Sequence, residues 1–288
     1  MSKILTDLSG NEYEVRPDVI NYDDVRRLIP KLDGHEKLVN KVLHLLKVDE
    51  VNHVHGYLSE YQGIEFVKRL LFDDFDIKLK IDNEQQLENL PEGPFITISN
   101  HPYGALDGII LIYLIGIRRP KFKVMVNMIL NQLSAMRPNF ISVDAWQSND
   151  PEKRKVSVEG IRQTLRQIRN GDPMGFFPAG AMSKIDWKYR QIDTPWKSTV
   201  VQIIQKAAVP VIPIYFHGGN SFICNIMGHI CWPMRSLLLP RELFRKRHTT
   251  VQVSVGDVIS IEEQREHQSS LQAYSDFLRA KTYELSKR

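Results

Sequence analysis

The stretch Phe95-Ile96-Thr97-Ile98-Ser99-Asn100-His101-Pro102-Tyr103-Gly104-Ala105-Leu106-Asp107-Gly108 runs from a β-branched, apolar segment through a polar turn into an apolar run that ends at Ile117. Such a segment favours a strand, and the turn between a strand and a following helix is where α/β proteins expose side chains that do chemistry. The spacing of His101 and Asp107 lets the carboxylate accept a hydrogen bond from Nδ1, which would fix the tautomer and leave Nε2 as a base. The same letters fit a capped helix start, with His101 at the surface and Asp107 a first-turn carboxylate favoured by the helix dipole. Spacing alone leaves both readings open.

Working outward, further β-rich runs at residues 122–126, 140–143, 174–177, 211–216 and 251–255 alternate with segments of helical period. This alternation predicts an α/β fold with a mostly parallel mixed sheet flanked by helices. A helix is expected over residues 151–169, capped by Asp150, with Pro151 in its first turn, an apolar stripe of Val158, Ile161, Leu165 and Ile168, and Gly171 beyond its end. A second helix is expected with Thr194 as its cap and Pro195 in its first turn, and with Val200, Ile203, Ile204 and Ala207 facing the sheet. Residues 1–90 read as an N-terminal helical extension in which Leu38, Val42, Leu45 and Leu46 recur at helical spacing, and residues 91–288 as the main domain. A short hairpin around Ser9-Gly10-Asn11 is also expected.

The 288 residues, 42% hydrophobic and 25% charged, fit one large α/β domain with an extension and exclude a disordered or fibrous chain. A net charge of +4 is too mild a bias to indicate nucleic acid. Two cysteines, Cys224 and Cys231, make no disulfide framework, which suggests a reducing compartment. The first ten residues lack the apolar core of a secretory signal. The longest apolar run, residues 108–117, is well short of the roughly 20 residues of a membrane-spanning helix, so neither a signal peptide nor a span is expected.

A second strand-to-turn stretch, Gly175-Phe176-Phe177-Pro178-Ala179-Gly180-Ala181-Met182-Ser183-Lys184, offers backbone N–H groups suited to an oxyanion or a phosphate. An ordinary β-turn explains it equally. Ala181-Met182 stands where a P-loop needs lysine and a hydroxyl residue, which rejects a nucleotide site. His217-Gly218-Gly219-Asn220 resembles an esterase oxyanion motif, but the chain has no Gly-x-Ser-x-Gly nucleophile, so a strand-end turn is the better reading. His53, His55, Cys224 and Cys231 lack zinc spacing, and no metal is expected. Residues 224–248 mix large apolar groups with Arg235, Arg241, Arg245, Lys246 and Arg247, which suits either a membrane-interface element or core packing with a solvated basic face. Arg118, Arg119, Lys121 and Lys123 form a second basic cluster, able to meet phosphates of a donor carrier or to be plain surface.

In this order, Asn100-His101-x5-Asp107, Phe177-Pro178-x-Gly180 and Val209-Pro210-Val211-Ile212-Pro213 resemble the lysophospholipid acyltransferase (glycerolipid acyltransferase) superfamily over residues 91–220. The first motif is normally His-x4-Asp and here has one extra residue. The third normally reads Phe-Pro-Glu-Gly-Thr-Arg, and here Ala179 replaces the glutamate and Met182 the arginine. The second block, commonly ending Phe-Ile-x-Arg, is represented by Phe140-Ile141-Ser142-Val143-Asp144 without its arginine. The missing residues are thought to hold a glycerol phosphate in the family, so their loss points away from a phosphate-bearing acceptor. The variant is similar to a bacterial hemolysin-like branch whose members look like O-acyltransferases completing ornithine or glycine lipids.

The resemblance implies an acyltransferase in residues 91–288 that moves a fatty acyl group from acyl-CoA or acyl carrier protein to the hydroxyl of a lyso-lipid, without a cofactor. His101 would be the base and Asp107 its orienting carboxylate. Asn100, Gly104, Phe177, Pro178, Gly180, Ser183, Lys184 and Pro213 are implied in substrate binding, with backbone donors near Gly180 as the oxyanion site. The implied location is the cytoplasmic face of the inner membrane, held peripherally. The alternatives are phosphatidic acid synthesis, a non-catalytic membrane-binding protein on the same fold, or a thioesterase releasing free fatty acid.

Overall fold

The computed structural model describes residues 3–6, 12–144, 151–186, 191–230, 235 and 237–287. Its N-terminal part carries a hairpin of β1 (Lys3–Thr6) and β2 (Glu12–Val15), paired antiparallel, then α1 (Tyr22–Leu28), α2 (Glu36–Leu45), α3 (Val48–Leu58) and α4 (Ile64–Arg69). Next come β3 (Lys78–Asp82), α5 (Gln85–Glu88), β4 (Ile96–Ser99), α6 (Ala105–Gly116), β5 (Lys123–Asn127), β6 (Phe140–Val143), α7 (Pro151–Arg169) and β7 (Met174–Phe176). A small hairpin, β8 (Lys184–Ile185) and β9 (Gln191–Ile192), precedes α8 (Ser198–Ala207) and β10 (Val211–Phe216). The chain ends through α9 (Phe222–Ile230), α10 (Leu239–Phe244), β11 (Thr250–Val255), α11 (Ile261–Glu266) and α12 (Leu271–Glu284).

Seven strands form one sheet in the order β3-β11-β10-β4-β7-β5-β6, and β11 against β10 is its antiparallel junction. β4, between β10 and β7, pairs parallel with both and is buried along its whole length. The period of two assigns its faces. Ile96 and Ile98 enter one core layer with Trp196, Val201, Ile204, Tyr274 and Leu278, while Ile212, Ile214 and Phe216 of β10 enter the other with Ile110, Leu111 and Phe66. The predicted strands at 140–143 and 211–216 have those bounds, and the others agree within a residue.

The apolar run after Asp107 is hydrophobic all round because α6 is covered on both sides. One side meets the sheet. The other meets α4, where a Cβ on Gly116 would come within 2.8 Å of Ile64 Cγ1. The helices before residue 70 are therefore a roof over α6. His55 of α3 pins that roof: its Nδ1 lies 3.0 Å from Pro17 O, and its Nε2 accepts from the Ala135 N–H at 3.3 Å.

Two expectations are corrected. Lys78–Asp82, inside the stretch read as a helical extension, is an edge strand parallel to β11; its lysines at alternate positions hide a strand signal but suit a sheet edge. The helix after Thr194-Pro195 starts three residues later, at Ser198, with Lys197 as N-cap. Leu38, Val42 and Leu45 share a helix, as their spacing implies, and lie exposed on it, Leu45 at 70%. The helix over Pro151–Arg169 and the first hairpin are as expected, while the Asp150 cap and the hairpin's turn lie outside the described residues.

Candidate active site

Parallel strands β4 and β7 deliver their following loops to one edge of the sheet, which brings His101 and Phe177 together. Their rings stack with centroids 4.2 Å apart and a 30° tilt. His101 Nδ1 lies 3.0 Å from Asp107 Oδ2, off the line of a straight hydrogen bond. The ring is one-fifth exposed, whereas Asp107 is fully buried. The extra residue in the first motif is accommodated by the turn itself. Gly104, at φ +80°, lets the Tyr103 and Gly104 N–H groups both point at Asp107 Oδ2, each at 2.9 Å.

Burial pushes the Asp107 carboxyl up from its ordinary value, and the contact with His101 and the two backbone donors pull against that rise. Asp107 thus caps the first turn of α6 and at the same time lies beside the His101 imidazole, a place compatible with both readings of the sequence. Its second oxygen, Oδ1, is buried without a hydrogen-bond partner among the described residues.

The other sequence candidates divide by what they touch. Asn100 is buried with both ends of its amide committed: Nδ2 donates to Phe216 O at 2.9 Å and Oδ1 accepts from the Phe216 N–H at 2.7 Å. It ties the end of β4 to β10 and acts on the site through position. Gly180 closes the turn by donating its N–H to Phe177 O at 2.9 Å, so that N–H is not the oxyanion donor expected there. Pro178 is buried, and its carbonyl accepts from the Lys197 N–H. Pro213 is buried in the middle of β10, against Gly256. Lys184 is half-buried at the start of β8.

Ser183 leads to a carboxylate that the sequence reading missed. Its hydroxyl donates to Asp193 Oδ1 at 2.5 Å, and that oxygen also accepts the His101 backbone N–H at 3.3 Å. Asp193 itself is buried, which pushes its carboxyl up, while Ser183 and His101 pull it down. Its backbone is clamped to α12, the N–H donating to Tyr283 Oη at 2.8 Å and the carbonyl accepting from Arg279 at 2.9 Å. A lone aspartate between a two-residue strand and Thr194-Pro195 carries no sequence signal of this role.

The departures from the family motif are packed. Ala179 and Met182 are buried, and Met182 Sδ stands where a Cβ on Gly104 would come within 2.8 Å. An arginine does reach this turn, from far along the chain: Arg235, buried, donates to Met182 O at 3.3 Å, Ser183 O at 2.5 Å and Asn225 Oδ1 at 3.0 Å. The membrane-interface reading of residues 224–248 is thereby corrected for Arg235, and for Phe244, which belongs to the core. The Arg118–Lys123 cluster sits at the start of β5, the opposite edge of the sheet from His101. There Arg119 binds the carbonyls of Pro91, Gly93 and Gly171, which commits its guanidinium to the protein's own backbone.

A family model for acyltransferases matches residues 31–288. The chain is 27% identical over 241 residues to a lyso-glycine lipid O-acyltransferase of Bacteroides thetaiotaomicron, covering 81% of this chain and 82% of that protein. It is 26% identical over 266 residues to a protein of the same name from Phocaeicola vulgatus, covering 88% and 91%. In fold it is similar to the crystal structure of the 1-acyl-sn-glycerophosphate (LPA) acyltransferase PlsC from Thermotoga maritima, with a TM-score of 0.51, 15% identity, and coverage of 87% of this chain and 88% of that one. With a family match over almost its whole length and the motif residues gathered at one sheet edge, the chain belongs to the acyltransferase family and is an acyltransferase.

Proposed function

We propose that this acyltransferase moves a fatty acyl group from an acyl thioester, acyl-CoA or acyl carrier protein, to the hydroxyl of a lyso-lipid with an amino-acid headgroup, glycine or ornithine. The observation that carries the reading is the His101–Asp107 pair, 3.0 Å apart beside the Phe177 ring. The names of the two curated relatives support the acceptor class. The buried, apolar Ala179 and Met182 support an acceptor without a glycerol phosphate.

In this reaction His101 Nε2 takes the acceptor's hydroxyl proton as its oxygen attacks the thioester carbonyl, and Asp107 stabilises the imidazolium that forms. The new C–O bond is made, the C–S bond breaks, and the proton passes from the imidazolium to the leaving thiolate. No covalent enzyme intermediate is required. Phe177 offers an apolar wall for the acyl chain.

The protein works peripherally at a membrane surface, on the cytoplasmic face of the inner membrane. No helix among the described residues is long and apolar enough to cross a membrane. Phe222 and Ile223 of α9 are 59% and 62% exposed, near the basic residues of α10 and its C-terminal end, a pattern suited to an anionic bilayer. The test is to incubate purified protein with acyl-CoA or acyl carrier protein thioester and a panel of lyso-lipids. Two-tailed aminolipid is the expected product. Phosphatidic acid from lysophosphatidic acid alone, or free fatty acid alone, would contradict the proposal.

A further inference from the structure

Tyr103 faces two ways. Its backbone N–H supports Asp107, while its ring lies 4.7 Å beneath the Lys246 ammonium and forms one wall of a cavity of about 200 Å³. The hydroxyl is fixed by donating to His217 O at 2.6 Å, and burial pushes it up to about 12, so the ring is a firm, neutral partition. The cavity opens at the same sheet edge as the dyad, because the C-terminal end of β10 and the N-terminal end of antiparallel β11 border it. Lys246 is near enough to Asp107 to sense its charge.

Two cations, Lys246 and Arg245, and one carboxylate line this cavity. Glu242 keeps its charge and acts on Lys246, but its oxygens are turned to Ser221, Oε2 accepting the backbone N–H at 2.7 Å and Oε1 the hydroxyl at 2.6 Å. Lys246 donates to Gly219 O at 2.7 Å, and among the described residues neither Lys246 nor Arg245 is within ion-pair distance of a carboxylate. The Thr249 hydroxyl donates to Lys246 O at 2.6 Å, and Thr250 adds a further hydroxyl. Two cations and a hydroxyl at a small concave space, set against one carboxylate, fit a compact anion.

We propose that this cavity holds the anionic headgroup, a carboxylate, of the lyso-lipid acceptor, with Lys246 as its principal partner and Arg245 assisting. The proposal rests on the acyl-transfer reading above and adds the feature that selects the acceptor. A cavity walled by the residue whose backbone N–H holds Asp107 suits a group close to the reacting hydroxyl, as in a single-tailed lipid that carries both at one end. The phosphate of a pantetheine-type thioester lies at the far end of a long arm from its sulfur, and is the competing source of an anion here.

The experiment is calorimetric titration of the full chain with N-lauroylglycine, kept below its micelle concentration, and with its neutral primary amide. The carboxylate ligand lacks an acceptor hydroxyl, so binding is read without turnover and independently of whether acyl transfer occurs. The wild-type protein is expected to bind the carboxylate at least tenfold tighter than the amide. In Lys246→Gln that ratio falls toward one, in Lys246→Arg it is largely kept, and in Arg245→Gln it is reduced. A ratio unchanged in Lys246→Gln overturns the proposal. So does a second outcome: coenzyme A binding lost in Lys246→Gln while the lauroylglycine ratio stays, which assigns the cavity to the donor's phosphate. Failure of the acyl-transfer reading would appear separately, as a selective carboxylate site on a protein that makes no two-tailed lipid.

Discussion

Asp193 Oδ1 accepts both the Ser183 hydroxyl and the His101 backbone N–H, so one buried carboxylate joins the loop bearing His101 to the loop that follows Phe177. The rings of His101 and Phe177 stack only because those two loops keep a fixed separation. Asp193 is in turn held from behind by α12 through Tyr283 and Arg279. A helix at the far end of the chain thus sets the position of an imidazole near residue 100.

Replacing Asp193 by asparagine removes the charge from this junction while keeping its shape. Since a displacement of about 1 Å at a reacting group costs on the order of 10²-fold, Asp193→Asn is expected to lower kcat by that order with little change in KM for the lipid. Steady-state kinetics read this directly. An unaltered kcat would show that the junction is structural only.

Gly104 is expected to tolerate no side chain. At φ +80° an alanine is strained by about 1–3 kcal/mol, and its Cβ would come within 2.8 Å of Leu239 Cδ2 and Met182 Sδ. Because the Gly104 N–H is one of two backbone donors to Asp107, Gly104→Ala should lose both melting temperature and turnover. Gly171→Ala, at φ +87° with nothing within 4 Å, is the control that should lose stability alone.

Acidification is expected to loosen the N-terminal roof through His55. Burial holds its imidazole below the ordinary value of 6.5, so the unfolded chain takes up a proton that the folded one refuses. Its contribution to stability is therefore present above pH 6.5 and declines as pH falls below it, by at most about 1.4 kcal/mol per unit. The raised carboxyls of Asp107 and Asp193 act in the opposite sense, which makes the difference between proteins the useful quantity. Melting curves of wild type and His55→Gln between pH 7 and 5 should converge as pH falls; parallel curves would exclude this latch.

The exposed face of α9 gives a prediction about the bilayer. Burying a large apolar side chain is worth about 1.5–3 kcal/mol, so Phe222→Ser with Ile223→Ser should weaken binding to vesicles containing anionic lipid by tenfold or more. Both side chains are exposed, so the melting temperature should not move. Co-sedimentation at two salt concentrations reads the apolar and ionic parts separately; undiminished binding would place the membrane contact elsewhere, α2 being the next apolar face.

The central strands were legible because buried strands are written as short apolar runs rich in β-branched and aromatic residues, as in Val211–Phe216. Lys78–Asp82 was not, since an edge strand needs apolar residues on one face only and its lysines mask the pattern. The apolar period of α2 was visible, but a stripe does not say whether protein or something outside it lies opposite, and here it faces outward. At the site, the His101–Asp107 pair was readable because both residues sit within one turn and its helix. Asp193 was not, since it reaches the site through tertiary packing from a segment with no motif of its own; Tyr103 sits inside the motif and Lys246 in the basic segment, but the contact between them is set by tertiary packing. At Gly180 the motif showed the turn but not its bonding, in which the glycine's own N–H is spent on Phe177 O.

The most direct test of the account is the rate at which the His101→Ala protein forms two-tailed lipid from an acyl thioester and a lyso-aminolipid, compared with wild type under the same conditions. Loss of a positioned base predicts a fall of roughly 10²–10⁴-fold, with the protein still folded and the lipid still bound. Transfer at the wild-type rate would contradict the assignment of His101 as the base.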